Sequence, residues 1–151
     1  MTTHAYATTL TWSGSTGAGY RHYRRAHHVT PHGAAGIAVS ADVAFRGDPA
    51  LANPEQLVLA AASSCQLLSF LAVAARAGVD VVGYVDEATA AMPQDGQPVR
   101  ITQITLRPVI TVRDADPATM EQLVRTAHDQ CYVANSLTTV VNVEPVIEVA
   151  P

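Results

Sequence analysis

The chain has 151 residues, 48% of them hydrophobic, which is the usual size of one domain with a sizeable core. Its net charge is −4 and all nine of its basic residues are arginine, which argues against general affinity for nucleic acid or a membrane surface. Met1 to Gly14 lacks a positive segment followed by an apolar one, so no secretory signal is read and a cytoplasmic location is expected.

From His4 to Ser13, and again from Gly19 to Val29, tyrosine, threonine, leucine and valine alternate with small or polar residues, with Gly14 to Gly19 as a turn. Ile37 to Phe45 repeats the pattern after the His32-Gly33 break, so a three-stranded meander is expected. Arg21, His22, Arg24, Arg25, His27, His28 and His32 concentrate cationic side chains in this part of an otherwise acidic chain. The plain reading is a solvated strand face; the functional one is a source of positive charge for a site.

Asn53-Pro54-Glu55-Gln56 is a helix start: Asn caps, Pro suits the first helical position, Glu matches the dipole, and Gln completes a capping box. Apolar residues run on to Ala77, and Gly78 can close the helix. The uncharged stretch Gln56 to Ala75 is rich in alanine and contains Ser63, Ser64, Gln66 and Ser69, so it is expected as the most buried helix, not a membrane span. Val79 to Ala91 and Val99 to Val112 read as strands joined by the turn Met92-Pro93-Gln94-Asp95-Gly96. Asp116-Pro117 opens a second helix with Met120, Leu123, Val124 and Ala127 on one face and Cys131 near its C-terminal end; Val140 to Val149 is a closing strand. The expected class is α+β, one domain over residues 1–151, with helices on a mainly antiparallel sheet.

The chain has two cysteines, and a structural disulfide is not expected in a reducing compartment. Inert core thiols, a metal site and catalysis are the open readings. A zinc site would have to draw on His128 with Cys131 and the His27-His28 pair; without a Cys-x-x-Cys pair, no metal or other cofactor is expected. A peroxide-reducing cysteine attacks as the thiolate, so its surroundings must lower the pKa of about 8.5 of a free thiol. Cys65 lies about 18 Å beyond Asn53 along a regular helix, where the N-terminal dipole has faded, so its positive charge must come from a side chain elsewhere. Cys131, among carbonyls at a helix C-terminus, suits the part of a second thiol that condenses with an oxidised first one.

Asn53-Pro54-Glu55-Gln56-Leu57 with Ala60-Ala61-Ala62-Ser63-Ser64-Cys65 resembles the first-cysteine motif of the OsmC/Ohr family. Cys131-Tyr132-Val133-Ala134-Asn135-Ser136-Leu137 resembles its second-cysteine motif, and Tyr23-Arg24-Arg25-Ala26-His27 with Phe45-Arg46-Gly47-Asp48 its N-terminal part. Gln66 stands where many members have histidine, and Tyr132 and Ala134 replace a common proline and serine. The resemblance implies the OsmC-like fold as an intertwined homodimer with sites at its interface. It implies a thiol peroxidase for organic hydroperoxides, recycled by an external dithiol, with Cys65 as peroxidatic thiol and Cys131 as resolving thiol. Arg25 would bind the reactive thiolate and Glu55 would hold that arginine, with Arg21, Arg24 and Arg46 as neighbouring candidates. The alternative is a non-enzymatic OsmC-like module that holds a small apolar ligand, its thiols incidental.

Overall fold

The computed structural model describes residues 1–150, which fall into two compact units, residues 1–57 and a second from Val58 onward. The first unit holds the expected meander: β1 (Thr8–Thr11), β2 (His27–Pro31) and β3 (Ile37–Val39), antiparallel in the order β1-β2-β3. Thr9 pairs with Thr30, and His28 with Ala38. The strands are shorter than their alternating patterns suggest. Residues 19–26 leave the ladder because their polar groups are used locally: Trp12 Nε1 donates to Arg24 O at 2.8 Å, and the Arg25 guanidinium takes the carbonyls of Tyr20 and Tyr23. Past Val39 the expected strand turns into a short 3-10 helix, Val43–Phe45, started by Asp42, whose side chain accepts from the Ala44 N–H at 2.7 Å.

The capping box at the start of α1 (Pro54–Arg76) forms as the sequence predicts. Asn53 Oδ1 accepts from the Gln56 N–H at 2.8 Å, and Gln56 Oε1 accepts from the Asn53 N–H at 3.0 Å. Past the other end, Gly78 takes the left-handed conformation at φ 73°, which a residue without Cβ adopts at no steric cost.

In the second unit the sequence pattern misjudges the strands in one consistent way. Each of the three long apolar segments breaks into two strands: β4 (Asp80–Asp86) and β5 (Thr89–Ala91), β6 (Gln103–Leu106) and β7 (Pro108–Arg113), β8 (Val140–Val143) and β9 (Val146–Val149). One half of each joins the sheet β4-β7-β9 and the other the sheet β5-β6-β8. Arg107 holds the three bends together. Its backbone N–H donates to Asp86 Oδ1 at 2.7 Å, its Nε to Glu144 Oε2 at 3.0 Å and its Nη1 to Thr89 Oγ1 at 3.1 Å. The β4–β7 and β5–β6 pairings are antiparallel, as expected, whereas β7–β9 and β6–β8 are parallel. The helical stretch after β7 makes this possible, since a parallel return needs a long crossover.

The two sheets share α1. Ala62 packs with Ile104 and Leu106 of β6, while Phe70, Val73 and Ala74 pack with Ile110 and Val112 of β7. To the same cluster α2 (Pro117–Asp129) adds Met120, Val124 and Ala127, its start capped by Asp116, which accepts from the Thr119 N–H at 2.9 Å. The expectation of a buried α1 holds for one face of the helix. One face is buried, with Ala62, Gln66 and Phe70 a turn apart, but Ala61, Ser64, Leu68, Leu71 and Ala75 recur at helical spacing on an exposed apolar face, Leu68 at 64% exposure. By length and composition α1 could cross a membrane; its buried face against two sheets is the pattern of a core helix.

Candidate active site

The two thiols come together in the second unit. Cys65 stands on α1 between its buried and exposed faces, half-buried, and opens on a cavity of about 250 Å³. Cys131 is 1% exposed. Both are free thiols, and they lie close enough that Cys65 helps to raise the Cys131 pKa.

The position of Cys131 differs from the sequence-based expectation. Helix α2 stops at Asp129 with Gln130 as its C-cap, and Cys131 is the N-cap of a further helix, α3 (Tyr132–Ser136). It therefore lies between the carbonyl end of α2 and the N–H end of α3, and its side chain makes no capping hydrogen bond. The Val133 N–H donates to Cys65 Sγ at 3.4 Å, and the N–H groups of Ala134 and Val133 also favour a charged Cys131. Burial outweighs them and, with Cys65 alongside, pushes the Cys131 thiol above its ordinary value. The first cause of the raised Cys131 pKa is thus desolvation, where the sequence reading looked to helix carbonyls.

Gln66, next to Cys65, is 1% exposed and ties α1 to α2: its Nε2 donates to Val124 O at 3.4 Å and its Oε1 lies 3.4 Å from His128 Nδ1. An amide can serve both contacts at once, as acceptor and donor. The cavity beside Cys65 is lined by Leu68, Ser69, Ala72, Arg76, Gln130 and Tyr132. Arg76 was missed in the sequence reading, although residues 65, 69, 72 and 76 follow one helical face at spacings of four, three and four.

Arg25 and Glu55 belong to the first unit, where both line a cavity of about 420 Å³ walled by Trp12, Phe45 and Pro54. They do not form the expected ion pair. Arg25 Nη1 and Nη2 donate to Tyr23 O at 2.9 Å and Tyr20 O at 2.8 Å, and the guanidinium lies 4.1 Å from the Tyr23 ring centroid and 4.8 Å from that of Tyr20. Carbonyl oxygens and π-faces of its own loop thus take the place of the carboxylate. Glu55 Oε2 is buried with no hydrogen-bond partner. Of the neighbouring arginines, Arg24 and Arg46 line an adjoining cleft with Arg25. Among the described residues no cluster of three potential metal ligands occurs.

No curated protein matches the sequence. An OsmC-like protein of unknown function from Vibrio cholerae has a similar structure, with a TM-score of 0.85 at 27% identity over 95% of this chain and 100% of that one. The organic hydroperoxide resistance protein OsmC of Legionella pneumophila is similar at a TM-score of 0.71 and 19% identity, over 98% of this chain and 99% of that one. The organic hydroperoxide resistance protein OhrB of Bacillus subtilis is similar at 0.63 and 20%, over 96% and 98%. The family model for OsmC-like protein matches residues 47–146, a segment that holds Glu55, Cys65 and Cys131 but not Arg25. With its meander, long cysteine-bearing helix and paired half-strands, the chain belongs to the OsmC-like protein family.

Proposed function

We propose that the protein is a thiol-dependent peroxidase for organic hydroperoxides, with Cys65 as the attacking thiol and Cys131 as the resolving one. The observation that carries this reading is the pairing of a half-buried thiol open to a cavity with a fully buried thiol beside it, the Val133 N–H two residues past Cys131 donating to the Cys65 sulfur. The hydroperoxide resistance named for the Legionella and Bacillus proteins agrees with it.

In the first step the Cys65 thiolate attacks the terminal oxygen of the hydroperoxide. The O–O bond breaks, the alkoxide leaves and takes a proton to become the alcohol, and Cys65 becomes a sulfenic acid. In the second, the Cys131 thiolate attacks the Cys65 sulfur, the S–O bond breaks, and hydroxide leaves as water after protonation. An external dithiol then reduces the Cys65-Cys131 disulfide by exchange, in the cytoplasm, where thiols are kept reduced.

In this reading Arg25 supplies positive charge to the Cys65 thiolate and Glu55 orients Arg25, both in a homodimer. The unpaired Glu55 oxygen supports a guanidinium partner for it in the working state, and the exposed apolar face of α1 supports association through that helix. The cavity walled by Trp12, Phe45 and Pro54 favours a second reading, a binding module for a small apolar ligand. A peroxidase assay with an external dithiol separates the two. Turnover lost in Cys65→Ser supports the enzyme, whereas a wild type inert to every organic hydroperoxide leaves the binding module.

A further inference from the structure

The arginine-rich segment of the first unit holds more positive charge than the thiol chemistry uses. Arg25 has its guanidinium taken by the carbonyls of Tyr20 and Tyr23. Arg24, next to it, and Arg46, beyond the 3-10 helix, are exposed, and among the described residues neither pairs with an acidic side chain.

Two cavities of the first unit meet at this segment. One, of about 420 Å³, is walled by Trp12, Phe45 and Pro54; the other, a cleft of about 550 Å³, is lined by Arg24, Arg25, Arg46 and Asp48. Tyr23, Arg25 and Ser40 line both, so the apolar cavity and the cationic cleft adjoin. Trp12 ties them together: its Nε1 donates to Arg24 O at 2.8 Å, and its ring meets Tyr23 edge-on with centroids 6.4 Å apart. Each space is of a size that holds a small molecule.

The charges sort the two ends of a ligand that occupies both. In the cleft three arginines stand against one carboxylate, and Asp48 Oδ1 already accepts from the Ala50 N–H at 2.9 Å. Arg46 is fixed there by its backbone: its N–H donates to Val43 O at 2.9 Å, and it keeps a left-handed φ of 66°, which a residue with a Cβ seldom takes. The apolar cavity has the opposite bias, since Asp42 and Glu55 are among its walls and one Glu55 oxygen is buried without a donor. An anionic head is therefore repelled from the cavity and drawn to the cleft, while an apolar chain gains by leaving water for the aromatic walls. We infer that the first unit binds an amphiphile whose apolar chain lies in the cavity walled by Trp12 and Phe45 and whose oxyanion head, a carboxylate or a phosphate monoester, is taken by Arg24 and Arg46 in the cleft. A guanidinium suits either head, because its fork offers two parallel N–H donors. The inference rests on the apolar-ligand reading of the cavity and gives it a chemical class; it needs no thiol and holds whether or not Cys65 turns over peroxide.

Trp12 is the only tryptophan of the chain, so its emission reports on the cavity directly. The full chain is titrated with octanoate, octyl phosphate, 1-octanol and acetate, with calorimetry in parallel. At least one of the two octyl anions changes Trp12 emission saturably and binds about tenfold or more tightly than 1-octanol, and the tighter of the two identifies the head; acetate, a head without the chain, binds far more weakly. Added salt weakens the anions and leaves 1-octanol unchanged. The double variant Arg24→Gln, Arg46→Gln, altered only at exposed side chains, lowers affinity for the anion by about tenfold and again leaves 1-octanol unchanged. If 1-octanol binds wild type as tightly as both anions, or if the double variant keeps full anion affinity, the inference is overturned while the cavity stands as a purely apolar site. If none of the four binds, by emission or by heat, the inference and the apolar-ligand reading fall together.

Discussion

The backbone N–H of Val133 points at the sulfur of Cys65 at 3.4 Å, so the first turn of α3 belongs to the surroundings of Cys65 as well as of Cys131. The segment from Cys131 to Ser136 is therefore the structural link between the two halves of the proposed cycle, and it is also where Tyr132 and Ala134 depart from the motif the chain resembles.

Ionisation of Cys131 should be visible in folding stability. Its thiol is pushed up in the folded chain, first by burial. The neutral form is thus favoured by folding, and the associated stability is complete below the unfolded thiol pKa of about 8.5 and is lost as pH rises towards the folded value. Urea denaturation of reduced protein should show stability falling through that window, and a smaller fall in Cys131→Ala. Equal slopes in the two proteins would contradict the assignment.

Asn53 closes the N-terminus of α1 through two reciprocal hydrogen bonds, and its Nδ2 also donates to Asp42 Oδ2 at 3.2 Å. Asn53→Ala should destabilise the protein by about 1–2 kcal/mol, read from the urea midpoint at unchanged slope. Gln56→Ala should cost less, because it leaves the Asn53 side-chain cap in place.

Gly47 allows the chain to fold back on itself: a Cβ there would lie 1.5 Å from the Ala41 carbonyl oxygen. The neighbour is backbone, so no side-chain rotation relieves the clash. Gly47→Ala should displace the 41–48 loop, with amide exchange in that loop faster than in wild type and a clearly lowered melting temperature.

The exposed apolar face of α1 predicts a dimer at micromolar concentration by sedimentation. Leu68→Lys places a charge in the middle of that face and should shift the protein to monomer, while Arg125→Ala on the solvent side of α2 should not.

What could be read in the sequence was local. The box at Asn53 and Gln56, the Asp116 cap and the glycine after α1 each act within a few residues, and all appear where the pattern puts them. The bends in the three long strands were hidden, because Asp86, Thr89 and Glu144 are brought to Arg107 only by tertiary folding. Within the site, the cysteine motifs marked the thiols, but five residues after Cys131 carry too little periodicity to announce α3. Nothing in the order Tyr20, Tyr23, Arg25 reveals that the guanidinium rests on that loop and not on Glu55.

Arg25 offers a test of that last point. If leaving its loop to meet Glu55 is part of turnover, Arg25→Ala and Glu55→Gln should each slow Cys65 oxidation by about tenfold or more, and the double variant should be little worse than either. Full additivity in stopped-flow peroxide consumption would mean that the two residues act separately.

The most direct measurement is mass spectrometry of the reduced protein after graded additions of an organic hydroperoxide, with Cys65→Ser and Cys131→Ser alongside. The wild type should lose two hydrogens as the Cys65-Cys131 disulfide forms, Cys131→Ser should gain oxygen at Cys65 and pass on to the sulfinic acid, and Cys65→Ser should stay unchanged. Peroxide consumption by Cys65→Ser as fast as by wild type, or a wild type whose thiols both survive excess hydroperoxide, would contradict the account.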